Sequence, residues 1–136
     1  MGKARQVAAL PIRKGEDGSL RVMLVTSRET RRYVIPKGWP WPGHKDHQAA
    51  AREAREEAGI VGKPHKKSIG AYTYDKRRAD GSVPVKVKVF LLTVIEVLDS
   101  WPEQSERKRA WFTPANAAAA VDEPELAELI NSLKSR

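Results

Sequence analysis

Alternating apolar and polar residues predict a long β-strand between residues 83 and 97. Valines alternate there with lysines before the sequence becomes fully apolar, which is typical of a sheet with one solvated face that continues into the core. Polar sequences at 14–18 and 76–81 predict turns between neighbouring strands. Shorter apolar segments predict further strands at residues 5–12, 20–26, 33–35, 68–74 and 109–113.

Three segments have helical patterns. Between Asp46 and Gly59 the chain is rich in alanine, and these two residues favour the N-cap and C′ positions respectively. Pro114 opens a short alanine-rich helix. Strands and helices therefore alternate without an internal repeat. A terminal helix is predicted at 125–133, with one apolar stripe made of Leu126, Leu129, Ile130 and Leu133.

The length of 136 residues suits a single compact domain that spans 1–136. The sequence has no cysteine, so disulfides and thiolate metal sites are excluded. It has neither a long apolar stretch nor the apolar segment of a signal peptide at its start. We therefore expect a soluble cytoplasmic protein with no membrane partner.

The charge is strongly basic and unevenly distributed. The formal net charge is +8, of which residues 1–45 carry +7, residues 46–98 carry +3 and residues 99–136 carry −2. Such a surface attracts polyanions and raises their encounter rate. Simple solubility or nonspecific nucleic-acid binding would explain the same charge, although the sequence shows no recognition helix or aromatic RNA motif.

The predicted first helix carries three carboxylates on one face. Glu53, Glu56 and Glu57 stand at positions i, i+3 and i+4, so their side chains converge within one turn. Three like charges at that spacing repel unless a cation lies among them, and clustered carboxylate oxygens suit Mg²⁺ or Mn²⁺. An ordinary solvated helix face, with Arg52 and Glu56 paired at i, i+4, is the alternative interpretation.

The flanking sequence favours the metal interpretation, because it extends the helix into a long gapped motif. The motif begins with Pro36, Lys37 and Gly38, and it ends with the run Arg52 to Ile60. This segment resembles the signature of the Nudix hydrolase family, which would occupy residues 38–60. The resemblance implies an α/β (α+β) fold with a mixed β-sheet sandwiched between α-helices, and it covers nearly the whole chain.

A narrower resemblance lies outside the motif. The segments 97–103 and 107–112, together with Arg5 and the sequence around Ser27 and Arg28, look like the diphosphoinositol polyphosphate phosphohydrolases. Basic residues at matching positions contact substrate phosphates in that subgroup, and arginine grips phosphate oxygens bidentately. Lys37 abuts the expected metal site and is a further candidate. The predicted substrate-binding residues are therefore Arg5, Ser27, Arg28, Arg32, Lys37 and Arg107.

The mechanism that we expect is metal-dependent hydrolysis of a phosphoanhydride bond. Glu53, Glu56 and Glu57 would hold Mg²⁺ or Mn²⁺, with the Gly38 carbonyl added as the resemblance implies, and the metal would activate water for in-line attack. Arg52 would orient one of the carboxylates. Glu57 and Glu53 rank first as general base, ahead of Glu103 or Glu106 in a later loop.

One position departs from the family signature. His44 stands where the family has a glutamate, and a neutral imidazole offers no negative charge to a hard cation. That glutamate is usually peripheral to the three helix carboxylates, so we expect altered metal preference or pH dependence. An inert loop histidine is favoured over a metal ligand.

The sequence leaves several substrates and two oligomeric states open. Inositol pyrophosphates, diadenosine polyphosphates and capped or triphosphorylated RNA are candidate substrates, and a noncatalytic phosphate-binding module is the rival class. Trp39 and Trp41 near the motif can stack on an adenine, cover an inositol or pack locally, whereas packing is favoured for Tyr33. A monomer or a homodimer is expected.

Overall fold

The computed structural model describes residues 4–135 and contains one mixed sheet between helices, as the family resemblance implies. The strands are β1 (Ala4–Lys14), β2 (Leu20–Thr26), β3 (Tyr33–Val34), β4 (Lys37–Gly38), β5 (Ile60–Pro64), β6 (Gly70–Arg78), β7 (Gly81–Val97) and β8 (Arg109–Phe112). The helices are α1 (Asp46–Ala58), α2 (Pro114–Ala120) and α3 (Pro124–Asn131), followed by a 3₁₀ turn at Ser132–Ser135.

Strand β1 organises the sheet because it has different partners along its length. It runs parallel to β7 over nine residue pairs, from Ala4 opposite Val85 to Ile12 opposite Thr93. On its other side the first half of β1 pairs with β4, where Val7 lies opposite Gly38, and the second half pairs with β2. On this side of β1 the partner strand therefore changes between Ala8 and Ile12.

Two apolar clusters fill the spaces on the two faces of the sheet. Alternate β1 side chains divide between them, with Ala8 and Leu10 in the cluster under α2 and α3, and Val7 and Ala9 in the cluster under α1. The predicted stripe of the last helix is confirmed, since Leu126, Ile130 and Leu133 are buried. Within residues 4–135, no helix has the length and apolar character needed to cross a membrane.

Four local predictions need correction. Helix α1 has Lys45 as its N-cap and Asp46 as its first residue, with the Gln48 side chain accepting from the Lys45 N–H at 3.0 Å. The short strands β4 and β5 were not predicted, because two to five residues carry no clear periodicity. The predicted charged turn is also too long, since β6 extends to Arg78 and β7 begins at Gly81.

Gly59 ends α1 as predicted and is tightly enclosed. Its backbone is left-handed, with φ 65°, and its N–H donates to Arg55 O at 3.1 Å. A Cβ at this position would lie 2.7 Å from an Arg109 guanidinium nitrogen and 2.8 Å from the Trp101 ring. The end of the helix thus fits closely against side chains from β8 and the loop before it.

We expect Gly59→Ala to destabilise the protein more than Gly18→Ala. Both glycines have positive φ, which costs an L-residue about 1–2 kcal/mol, but a Cβ at Gly18 would meet nothing within 4 Å. The clash should add at least about 1 kcal/mol at Gly59. Urea unfolding measures both losses, and equal losses would contradict the close fit.

Candidate active site

Helix α1 places two of its glutamates against the short strand β4. A Cβ on Gly38 would lie 2.4 Å from the Glu53 carboxyl carbon, so only glycine allows this approach. The Lys37 backbone N–H donates to Glu57 Oε1 at 3.3 Å. The motif's first glycine and its helix therefore meet in space, and the Glu53 and Glu57 carboxyl groups lie where they meet.

The environment of these two carboxyl groups disfavours negative charge. Burial raises the pKa of Glu57 to about 8, the Arg107 guanidinium at 3.7 Å opposes this shift, and the neighbouring Glu53 adds to it. Burial also raises the pKa of Glu53. A hydrogen bond joins the Glu53 and Glu57 side chains. Two desolvated carboxylates side by side are suited to a divalent cation, which would compensate both charges.

Glu56 does not join the pair. Its Oε1 accepts from Arg52 Nε at 3.2 Å, and the side chain is 37% exposed on the neighbouring face of α1. Accordingly, no three Asp, Glu or His side chains within residues 4–135 form a ready metal-binding group. The ion pair weighed as the alternative interpretation is present, so the predicted three-carboxylate set divides into an adjacent pair, in which Glu57 is buried and Glu53 partly buried, and one outer member.

The loop between β7 and β8 packs on the carboxyl end of α1. Trp101 Nε1 donates to Glu57 O at 3.0 Å, and the Glu103 N–H donates to Glu56 O at 3.1 Å. Arg109 donates to Ala58 O at 2.8 Å and lies 3.9 Å from the centre of the Trp101 ring. These contacts satisfy the last carbonyls of the helix and fix the backbone that carries Glu57.

A cleft of about 730 Å³ opens beside Glu53 and Glu57. Its walls include most of the predicted substrate-binding residues. These are Ser27, Arg28, Arg32, Lys37 and Arg107, together with Gly38. Arg5 is an exception, because strand alternation turns it away from its neighbour Gln6, which lines the cleft. The Arg5 guanidinium instead pairs with Asp46 at 2.9 Å.

The cationic side chains in the cleft differ in how closely carboxylate or carbonyl partners hold them. Arg107 is 9% exposed and donates to Glu103 at 2.7 Å and to Thr26 O at 3.1 Å, so it acts as a buried brace. Arg32 is held by Glu123 at 2.7 Å. Arg28 is more than half exposed, and its nearest carboxylate, on Glu106, is 4.0 Å away.

Lys37 has the least satisfied charge among them. Burial lowers the pKa of Lys37, and the nearby Glu57 charge opposes this shift. Its ammonium group lies 4.9 Å from the centre of the Tyr74 ring, and within residues 4–135 it has no hydrogen bond or ion pair. An incoming anion would therefore supply the partner that this ammonium lacks.

Several cleft residues were missed from the sequence. Gln6, Tyr74, Asp75, Lys76, Arg77 and Glu103 line the cleft, and none was assigned to substrate binding. Lys76 and Arg77 were predicted to lie in a charged turn. They line the cleft because β6 continues to Arg78. Sheet alternation offered one usable signal, since Tyr74 and Lys76 share a face of β6.

The aromatic residues near the motif have separate roles. Tyr33 packs edge-on against Phe112, with ring centres 5.0 Å apart, which confirms the packing interpretation. Trp39 lines the cleft and is 47% exposed. Trp41 lies against His44 and Arg52. His44 does not line the cleft, and its Nδ1 lies 3.1 Å from Pro42 O.

Comparison with known proteins identifies the family. A model of the NUDIX domain matches residues 2–133. Mouse diphosphoinositol polyphosphate phosphohydrolase 3-alpha is 30% identical over 137 residues, covering 98% of this chain and 79% of the mouse protein. Rat diphosphoinositol polyphosphate phosphohydrolase 2 is 29% identical, covering 98% of this chain and 72% of the rat protein.

Solved structures share the fold at lower identity. The Caenorhabditis elegans Ap4A hydrolase superposes with a TM-score of 0.69 at 22% identity, covering 98% of each chain. The Escherichia coli ORF135 protein gives a TM-score of 0.70 at 18% identity, covering 99% of this chain and 91% of the other. These likenesses show the fold alone.

The sequence matches define the class as a pyrophosphohydrolase, an enzyme that hydrolyses pyrophosphate bonds in phosphorylated substrates. The chain belongs to the Nudix family and is similar to its diphosphoinositol polyphosphate phosphohydrolases. The family generally uses a divalent metal ion, and the adjacent carboxyl groups of Glu53 and Glu57 fit that requirement.

The metal-free protein should lose stability as the pH rises from about 4.5 to about 8. Burial raises the pKa of Glu57 to about 8, so the folded state holds a proton that the unfolded state releases in this window. Each pKa unit corresponds to about 1.4 kcal/mol, so the loss is a few kcal/mol at most. Glu57→Gln should reduce this slope.

Urea unfolding with a chelator at about pH 5 and about pH 8 measures the effect. The matched control is Glu128→Gln, which changes an exposed glutamate on α3. If Glu57→Gln and Glu128→Gln show the same dependence of unfolding free energy on pH, the proton is not held at Glu57.

Proposed function

We propose that this chain hydrolyses a phosphoanhydride bond in a highly phosphorylated small molecule, such as an inositol pyrophosphate or a diadenosine polyphosphate. The observation that carries the proposal is the cleft itself. One wall presents the carboxyl groups of Glu53 and Glu57, and the other walls present cationic side chains. A substrate with several phosphates fits this cleft. Some of its phosphates can bind the cationic side chains while others bind a metal ion held by the carboxylates.

Mg²⁺ or Mn²⁺ would be held by Glu53 and Glu57, with Glu56 and the Gly38 carbonyl as further candidate ligands. Such an ion supplies charge neutralisation at the scissile phosphates and makes water more acidic. The fit rests on the donor set, since carboxylate and carbonyl oxygens are the ligands that these ions prefer. Glu56 would join through its second oxygen, Oε2, while Oε1 keeps the hydrogen bond from Arg52.

The protein's own side chains divide the remaining work. Lys37 and Arg28 would bind phosphate oxygens, because both project cationic groups into the cleft with weak or no partners of their own. Arg32 would do so after exchanging its carboxylate partner for phosphate. Glu57 and Glu53 are the first candidates for general base and Glu103 is the next, since all three carboxylates line the cleft.

Glu57→Gln should lower kcat/KM on the preferred substrate by about 10²-fold or more, because it removes a charge needed for both metal binding and proton transfer. Phosphate release from inositol pyrophosphate, diadenosine polyphosphate and 5′-triphosphorylated RNA, each with Mg²⁺, measures the effect and ranks the substrates. Glu128→Gln is again the matched control.

Two outcomes would contradict the proposal. If Glu57→Gln and Glu128→Gln had equal kcat/KM on the preferred substrate, the catalytic role of Glu57 would be wrong. If triphosphorylated RNA were the preferred substrate, the alternative RNA 5′ pyrophosphohydrolase activity would replace the small-molecule assignment.

A further inference from the structure

The loop before α1 contains a compact turn that brings His44 onto Trp41. The His44 N–H donates to Trp41 O at 3.0 Å, with Pro42 and Gly43 at the two central positions and Gly43 at φ 78°. Proline followed by a residue with positive φ is the pattern of a type II β-turn. The two flanking rings stack with centres 3.5 Å apart and planes 4° from parallel.

Arg52 from α1 completes the stack. Its guanidinium carbon lies 4.3 Å from the centre of the Trp41 ring. His44 and Arg52 therefore both contact the Trp41 ring. Trp41 does not line the cleft, so its role lies in the two side chains that it contacts.

Arg52 connects this stack to the acidic helix. Its Nε donates to Glu56 Oε1 at 3.2 Å, and both side chains are more than a third exposed. An exposed arginine with only one carboxylate contact samples many rotamers. Contact with an aromatic face restricts the guanidinium and so fixes the direction of its hydrogen bond.

We infer that Trp41, held by His44, is a positioning residue that keeps Arg52 on Glu56 and thereby orients the outer carboxylate of the metal site. The inference rests on the proposed function for the role of Glu56. It also assigns a role to His44, which stands where the family has a glutamate and stacks its ring on Trp41. Carboxylate ligands that are oriented by hydrogen bonds bind metal more tightly.

The first test follows the Arg52 Nε–H resonance in ¹⁵N-labelled, metal-free protein, assigned through its loss in Arg52→Lys. In the wild type this resonance should be shifted upfield by the Trp41 ring and protected from exchange. Trp41→Leu should abolish both effects, and Trp41→Phe should restore part of them. An unchanged resonance in Trp41→Leu would overturn the inference.

A matched pair of glycine variants separates the stack from general strain. Gly43→Ala and Gly18→Ala place a Cβ in open space at φ 78° and φ 81° respectively, so both strain a turn without a clash. Only Gly43→Ala should alter the Arg52 resonance, because only that turn carries His44 to Trp41. Equal effects of the two variants would contradict the assignment.

The second readout is Mn²⁺ affinity, measured from the paramagnetic resonance of the free ion. Trp41→Leu and Gly43→Ala should weaken binding by about threefold to tenfold. His44→Glu should weaken it as well, whereas tighter binding would show that the motif position itself is a ligand and would overturn the inference. A wild type that binds no Mn²⁺ would contradict the proposed function, and the Arg52 resonance would then decide the stack alone.

Discussion

The carboxyl groups of Glu53 and Glu57 lie side by side against the backbone of β4, largely removed from water. This constraint shapes much of what surrounds it. A side chain at position 38 would push the Glu53 carboxyl group away, so glycine lets this group lie against the strand. Because burial raises the pKa of both carboxyl groups and like charges repel, the pair suits a divalent cation.

The rest of the fold supports that pair from three directions. Strand β1 pairs with β4 and holds Gly38 beside the helix. The loop after β7 fixes the carboxyl end of α1 through Trp101 and Arg109. Arg107 braces the loop to β2 and supplies the nearest positive charge to Glu57. Residues from distant parts of the sequence therefore determine how the short motif behaves.

The structural features that the sequence predicted correctly are those that follow from periodicity or from local capping rules. The longer strands, all three helices and the left-handed end of α1 at Gly59 follow from periodicity and capping. Glu53 and Glu57 were identified because helical spacing makes them neighbours. The same spacing also allowed Arg52 to pair with Glu56, and the hydrogen bond between them shows that the chain adopts this arrangement.

What the sequence missed depends on contacts between distant segments. Arg5 was selected for its charge, but strand alternation places Gln6 at the cleft and Arg5 on Asp46. Arg107 lines the cleft, but the hydrogen bonds that it donates to Glu103 and to Thr26 O, which occupy its guanidinium group, could not be read from the sequence. The basic end of β6 reaches the cleft because the strand is longer than its turn residues suggested.

Proton release on metal binding tests the central claim most directly. If the Glu57 carboxyl group holds a proton in the metal-free protein and exchanges it for a divalent ion, adding Mg²⁺ or Mn²⁺ at about pH 7 in weak buffer should release about one proton per protein. Glu57→Gln should release markedly fewer. Metal binding without proton release in the wild type would contradict the account.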